Sequence, residues 1–364
     1  MWPSVHPLQR TLYVRHMALR RMVAAWGDNR GPSAVVEHGA NPGLVSHWTK
    51  QALSEIAERS LRDGRCTRPA EVERAAADER WNELARALGV QVVHVAERDS
   101  QISDRPKLVG EVVNTWSIDG LYEEGIAPAE LGWGTHEKRL PPHAYVHADD
   151  GPCNQIALAR MGCETWVRSF VPSGPILGMI IRHGEAFTIN DHLTVWEDGR
   201  AVYRPTVHYA YCPTDVALAS LHEVAMNDYV MPDASRIMND EIVSGRDELG
   251  VLLLGHPYGA WWTGSLLTIE EARALVRGQS ATTLQVAASV LAAVVWMIRH
   301  PNEGVRVPDD LPWREVLDVA APYLGTLFSD AVDFDPAARR HGLFDGWDGF
   351  EPDDDPWQFT NLSH

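Results

Sequence analysis

Between Glu97 and Glu137 the chain reads ERDSQISDRPKLVGEVVNTWSIDGLYEEGIAPAELGWGTHE, with Trp116 and Trp133 set among closely spaced carboxylates. Carboxylates attract cations, and an indole face attracts an ammonium or iminium group through its ring quadrupole, by about 0.5–2 kcal/mol when desolvated. Such a surface suits a small, positively charged organic substrate. The same residues also fit a solvated acidic loop around a structural tryptophan, because charge runs usually face water. A second polar element is the loop Glu37-His-Gly-Ala-Asn-Pro-Gly43, which joins an apolar strand to a helix. Its amides and Asn41 would stand at the helix N-terminus, a geometry that suits a phosphate, a ribose or a polar substrate group, or an ordinary strand-to-helix turn. Gly39 and Gly43 allow close approach there, and Pro42 restricts Asn41 to extended conformations. His183 and Glu185 have the same-face spacing of a strand, whereas His208, inside another strand, reads as a satisfied core residue.

The elements that must position these groups follow from periodicity. Helices are expected over Leu8–Trp26, Leu44–Leu61 (Leu44, Trp48 and Ile56 on one face), Ala70–Leu88 and Thr214–Met226. Buried strands are expected at Ala34–Val36, before Glu97 and before Trp116, with others at Ile176–Arg182, Phe187–Trp196 and Ala201–Tyr211. Thr268 and Glu271 form a capping box. Ala281–Ile298 is a mostly apolar helix expected to be packed on nearly all sides, and its apolar run from Leu284 reads as too short to span a bilayer. The fold class expected is α/β plus α+β: a remnant of a Rossmann-type domain joined to a mixed or antiparallel-sheet domain.

Composition narrows the partners. The 364 residues are 45% hydrophobic and 23% charged, an ordinary globular balance, and the net charge of −18 argues against nucleic acid or an anionic membrane surface. Nine acids against two arginines lie between Asp330 and Asp355, so residues 331–364 read as a mobile acidic tail. The four cysteines show no C-x-x-C spacing, which points to free thiols in a reducing cytoplasm. The sequence holds no H-E-x-x-H, no G-x-S-x-G elbow, no P-loop and no G-x-G-x-x-G, and no metal site is expected.

Seven segments, EHGANPGLVSHWTKQAL, HVAERDSQ, VGEVVNTWSIDG, PAELGWGTHE, VYRPTVHYAYCP, DEIVSGRDELGVLLLGH and SATTLQVAASVLA, occur in the order in which they resemble bacterial homospermidine synthase, a family related in fold to saccharopine reductases. The resemblance runs from about Val35 to Leu324. It implies that two putrescines are combined into homospermidine with release of ammonia, using tightly held NAD, in a homodimer. By the same resemblance, Trp116 is the cation-binding tryptophan, Glu124 the carboxylate that holds it and the substrate, and Glu97 the acid on the preceding strand that meets a substrate amine. Asn41 would bridge nicotinamide and substrate, His183 and Glu185 would form a substrate-site pair, and His38, Gly39, Asn41 and Pro42 would line the cofactor side. The division implied is 1–50 for the end of the dinucleotide domain, 51–300 for substrate binding and dimerisation, and 301–330 for a helical return segment. The family carries its glycine-rich fingerprint on a first strand upstream of everything seen here. Most of the NAD domain is therefore expected to be missing, with weak NAD binding and little turnover unless that piece is supplied. Two alternatives stay open. One is a reductase of the saccharopine or carboxyspermidine type, for which Arg98, Arg182, Arg204 or Arg246 would clamp a carboxylate. The other is a non-catalytic polyamine-binding remnant.

Overall fold

The computed structural model describes residues 4–148, 151–336 and 351–364. The fold is built around the strand Val92–Asp99, whose β-branched run VVHV and alternating side chains suit a strand covered on both faces. Thr206–Cys212 pairs with it in parallel and Arg246–Leu254 antiparallel. Ala260–Thr268 and Thr326–Ala331 extend the second wing, while Pro128–Gly132, Gln155–Met161 and Ala144–Val146 extend the first. A hairpin, Trp166–Val171 with Gly174–Met179, attaches to Thr206–Cys212 and completes a ten-stranded mixed sheet. The expected α/β plus α+β class is the one observed.

Side chains alternate across a strand, so Val93, Val95, Glu97 and Asp99 share one face while Val92, His94 and Ala96 share the other. The first face lies under the helix Leu44–Arg62, which buries Leu44, Trp48, Leu53 and Ile56 against it. The second face is covered by the hairpin and by Phe359 and Leu362. Each buried leucine or isoleucine contributes roughly 1.5–3 kcal/mol relative to exposure. Thr268 and Glu271 do close the expected capping box.

Several expectations change. The single helix over Ala70–Leu88 is two, Pro69–Ala77 and Trp81–Leu88, broken where Glu79 takes φ +51°. Phe187–Trp196 is not a strand: Glu185–His192 is a helix, and only Val195–Glu197 is extended. All of Glu185–Asn190 is buried, and a short buried run carries no period to separate helix from strand. The strand at Ala34–Val35 is only half covered and pairs in parallel with Val305–Arg306, apart from the main sheet. The apolar helix Ala281–Arg299 is covered on one side only, leaving Val290, Leu291, Val294 and Ile298 exposed. Its 19 residues are long and apolar enough to cross a membrane by composition, contrary to the reading of it as too short, yet half of it packs inside the protein. Of the expected mobile tail, residues 337–350 lie outside the described residues, whereas 351–364 do not hang free. A short helix, Phe359–Leu362, is buried on the sheet, and Ser363 bridges Val167.

Candidate active site

Alternation on three neighbouring strands brings five polar side chains to the helix-covered face. Glu97 and Asp99 come from the central strand, and Tyr209 and Tyr211 from its parallel neighbour. Asp247 comes from the antiparallel neighbour, directly opposite Asp99. Trp116 stands in the link between the strand Glu111–Asn114 and the helix Ile118–Gly125, and its Nε1 donates to the Tyr211 hydroxyl at 2.8 Å. Gly120 makes room for the indole, since a Cβ there would lie 2.8 Å from Cζ3 of Trp116. Glu124, at the end of that helix, meets Nε2 of His183 at 3.1 Å, and Nδ1 of His183 meets Glu185 at 3.3 Å.

These groups surround one cavity of about 320 Å³, lined by Asn41, Glu97, Trp116, Glu124, His183 and Tyr209. Its mouth is formed by Thr282, Thr283 and Val286 of the long apolar helix. Five expected site residues therefore share a wall, and Glu185 supports that wall from behind. The His183–Glu185 contact holds although the pair lies at a helix start, with Gly184 as N-cap, and not along a strand. Trp133 is not part of the site: it packs edge-on against Phe359 on the other face of the sheet.

The electrostatics favour a cation. Burial pushes the Glu97 carboxyl up to about 8, and the nearby Asp99 adds to this against the Tyr209 hydroxyl, which donates to it. Asn41 donates to the same oxygen at 3.4 Å. Asp99 is also raised by burial, although Thr115, Gln101 and Thr282 all donate to it. Asp247 is raised well above the carboxylate range by burial and by Glu97 and Asp99, against the neighbouring Thr282 hydroxyl, which lowers it. Burial alone would discharge His183, but Glu185 and Glu124 outweigh it and raise its pKa well above the ordinary value. The wall as a whole holds more acids than bases. None of Arg98, Arg182, Arg204 and Arg246 lines it, nor does any lysine among the described residues. Arg182 instead pairs with Glu123, Arg204 donates to the carbonyls of Pro152 and Cys153, and Arg246 pairs with Glu248.

The loop before the helix Leu44–Arg62 is tighter than an anion cradle. Gly39 N donates to Pro42 O, and the amides of Leu44 and Val45 are taken by the carbonyls of Gly39 and Ala40. A Cβ at Gly43 would lie 1.7 Å from the Gly39 carbonyl oxygen, and the residue takes φ +137°, so glycine is required. Pro42 follows Asn41 through a cis bond. His38 does not face the cavity; it bridges Ser289 and His47, and burial lowers its pKa to about 4. Of the loop, Asn41 alone reaches the cavity wall.

Sequence reasoning missed Asp99, Asp247, Tyr209 and Tyr211 as a group. Part of the signal was present in HVAERD and HYAYC, where Glu97 with Asp99 and Tyr209 with Tyr211 stand two residues apart on one strand face.

Residues 39–331 match the saccharopine dehydrogenase C-terminal domain family. The homospermidine synthase of Blastochloris viridis is 43% identical over 368 aligned residues, covering 99% of this chain and 73% of that protein. The homospermidine synthase of Mesorhizobium japonicum is 41% identical over 354 residues, covering 95% of this chain and 70% of its own. Among solved structures, the homospermidine synthase of Legionella pneumophila in complex with NAD superimposes with a TM-score of 0.85 at 39% identity, over 96% of this chain and 73% of the other.

Proposed function

The chain belongs to the homospermidine synthase family, enzymes on a saccharopine dehydrogenase-like fold, and from that membership we propose that its acidic, aromatic cavity joins two putrescines into homospermidine with loss of ammonia. One observation carries this reading: Glu97, Glu124 and Trp116 meet in a small cavity without any lysine or arginine among the described residues. A carboxylated substrate of the saccharopine type would leave its anion unmatched there, with only His183 as a positive group and that already held by two carboxylates. At about 320 Å³ the cavity lies at the small end of ligand pockets, roughly 300–1,000 Å³.

The cavity mouth fits the nicotinamide end of NAD, since Asn41 offers a carboxamide beside Thr283 and the apolar Val286. Phosphates find no cradle among the described residues, because the amides at the helix start are already bonded. Bound at this mouth, NAD supplies a hydride acceptor that later returns the same hydride, so the conversion is redox-neutral overall. The residues of this chain act on the charges in between. Trp116, anchored by Tyr211, turns its π face to the iminium carbon that the second amine attacks as ammonia departs. Glu97, titrating near 8, accepts a proton from the attacking ammonium, and Asn41 and Tyr209 fix its carboxyl. Glu124, oriented by His183 and through it by Glu185, holds the far ammonium. Asp99 and Asp247 stand behind Glu97 on the same face of the sheet, and Asp99 adds to the proton affinity that burial gives Glu97.

We retain residues 1–50 as the end of a dinucleotide domain, 51–300 as the substrate and dimerisation region and 301–330 as the return segment. The parallel pair of Ala34–Val35 with Val305–Arg306 supports that division. A cytoplasmic homodimer is the form proposed, consistent with Cys66, Cys163 and Cys212 as free thiols. Incubation with putrescine and NAD, read by mass spectrometry, tests the function. Homospermidine is the expected product. Binding of a carboxylated amine in preference to putrescine, read by thermal shift, would replace this reading with the reductase.

A further inference from the structure

Along the helix Ala281–Arg299, Thr282, Gln285 and Ser289 are spaced i, i+3 and i+7, so three buried polar side chains share one face of a mostly apolar element. Each bonds to a different part of the site. Thr282 donates to Asp99 at 3.2 Å, Gln285 to the carbonyl of Asp247 at 3.3 Å, and Ser289 to the carbonyl of Gly39. A helical serine commonly bonds back to the carbonyl four residues earlier. Ser289 reaches across instead, to the loop that carries Asn41.

The partners of Ser289 fix the direction of a hydrogen-bond chain. Its hydroxyl has one proton, which goes to Gly39, so Nδ1 of His38, 2.9 Å away, donates to Ser289 Oγ. Burial lowers the His38 pKa to about 4, which keeps the ring neutral, and a neutral imidazole carries one proton. Nε2 of His38 is therefore an acceptor, and Nε2 of His47, 3.0 Å from it, is the donor. His47 is held neutral in turn, by burial first and then by His38 and Lys50. The chain runs one way, from His47 through His38 and Ser289 to the Gly39 carbonyl. Neither histidine lines the cavity.

Gly39 lies two residues before Asn41, and the loop closes on itself through the Gly39 amide and the Pro42 carbonyl at 2.6 Å. A shift at Gly39 is thus carried to Asn41. The bond from Asn41 to Glu97 is 3.4 Å long, near the limit of hydrogen-bond distance, so a small shift removes it. We propose that Ser289, His38 and His47 are positioning residues whose directed chain locks the Gly39 carbonyl to the long helix and so holds the Asn41 carboxamide on Glu97. The proposal deepens the diamine reading above, on which its binding readout rests. The chain acts through Asn41, so losing it equals losing Asn41 and does not add to that loss.

Calorimetric titration of the 364-residue chain with putrescine tests this as a double-variant cycle. Asn41→Ala and Ser289→Ala should each weaken binding about tenfold, the size of one hydrogen bond to a charged group, and the double variant should also lose about tenfold. A loss of about a hundredfold in the double variant, or full affinity in Ser289→Ala, would overturn the proposal. Two variants of His38 decide the matter even where Ser289→Ala does not fold. An asparagine amide nitrogen falls near Nδ1 and a glutamine amide near Nε2. His38→Asn, which keeps the donor to Ser289, should therefore bind within about threefold of wild type, and His38→Gln should lose about tenfold. The reverse order, or equal losses, would reduce His38 to a packing role. Hydrogen exchange of residues 38–44 separates the two claims, since Ser289→Ala and His38→Gln should speed exchange there and leave the other peptides unchanged. If no form binds putrescine, the diamine reading fails and the exchange result alone decides the positioning. Unchanged exchange in both variants would end the proposal.

Discussion

Glu97 titrates near 8 in the ligand-free protein, so at neutral pH it carries a proton that a bound ammonium would displace. At pH 7 putrescine binding is therefore expected to release up to about one proton, as calorimetry in buffers of different ionisation enthalpy would read, with release fading above pH 9 and absent in Glu97→Gln. The same shift has a sign for stability. A carboxyl raised from 4.5 to about 8 stabilises the fold at low pH, and that contribution is lost as pH rises through about 8. The free protein should lose melting temperature across that window and putrescine should restore it. A pH-independent putrescine shift in the wild type would contradict the role given to Glu97. Trp116 makes a second residue-scale claim. Trp116→Phe keeps a π face but loses the bond to Tyr211, and should cost less in kcat than Trp116→Ala, which forfeits about 1–2 kcal/mol of cation stabilisation, or roughly 5–30-fold. Equal kcat for the two variants would show that the ring does not face the charge.

At the scale of elements, the helix Ile118–Gly125 positions two of the charge-handling residues at once, because Trp116 precedes its Ser117 N-cap and Glu124 closes its last turn. Gly120→Ala places a methyl against the indole and should displace Trp116 without touching Glu124. The expected outcome is a rise in KM and a shifted tryptophan emission, with the melting temperature changed by no more than the roughly 1–3 kcal/mol of an overpacked contact. Unchanged kinetics would mean that Trp116 relaxes freely. The sequence made this helix hard to see, because VVNTWSI continues an apolar strand pattern past Asn114, and the N-cap serine is the single mark of the switch. Phe187–Trp196 failed for a related reason: every residue from Glu185 to Asn190 is buried, so its apolar spacing carries no face. The amphipathic helix Leu44–Arg62 and the capping box at Thr268 were legible because polar and apolar positions, or donor and acceptor, repeat at fixed offsets. Asp99 and Asp247 became visible as a pair only through strand register, which brings together residues 148 positions apart and leaves no local trace.

For the whole molecule, the sheet divides two duties. Its helix-covered face holds the acids and the cavity, and its other face is a core closed by the chain's last residues. Phe359 lies against Trp133 and His208, Leu362 is fully buried, and the backbone of His364 donates to Trp166. None of these groups lines the cavity. Phe359→Ala removes a buried ring and should cost about 3–5 kcal/mol, a large part of the roughly 5–15 kcal/mol that holds a typical domain. Denaturant unfolding should show that loss while the temperature shift produced by putrescine stays close to its original size, since strand register, and not the second core, sets Glu97 against Tyr209. A variant that kept its stability would place the closing segment outside the folding unit. One that lost putrescine binding in step with stability would show that the two faces are coupled through the central strands, and that the cavity depends on a core it does not touch.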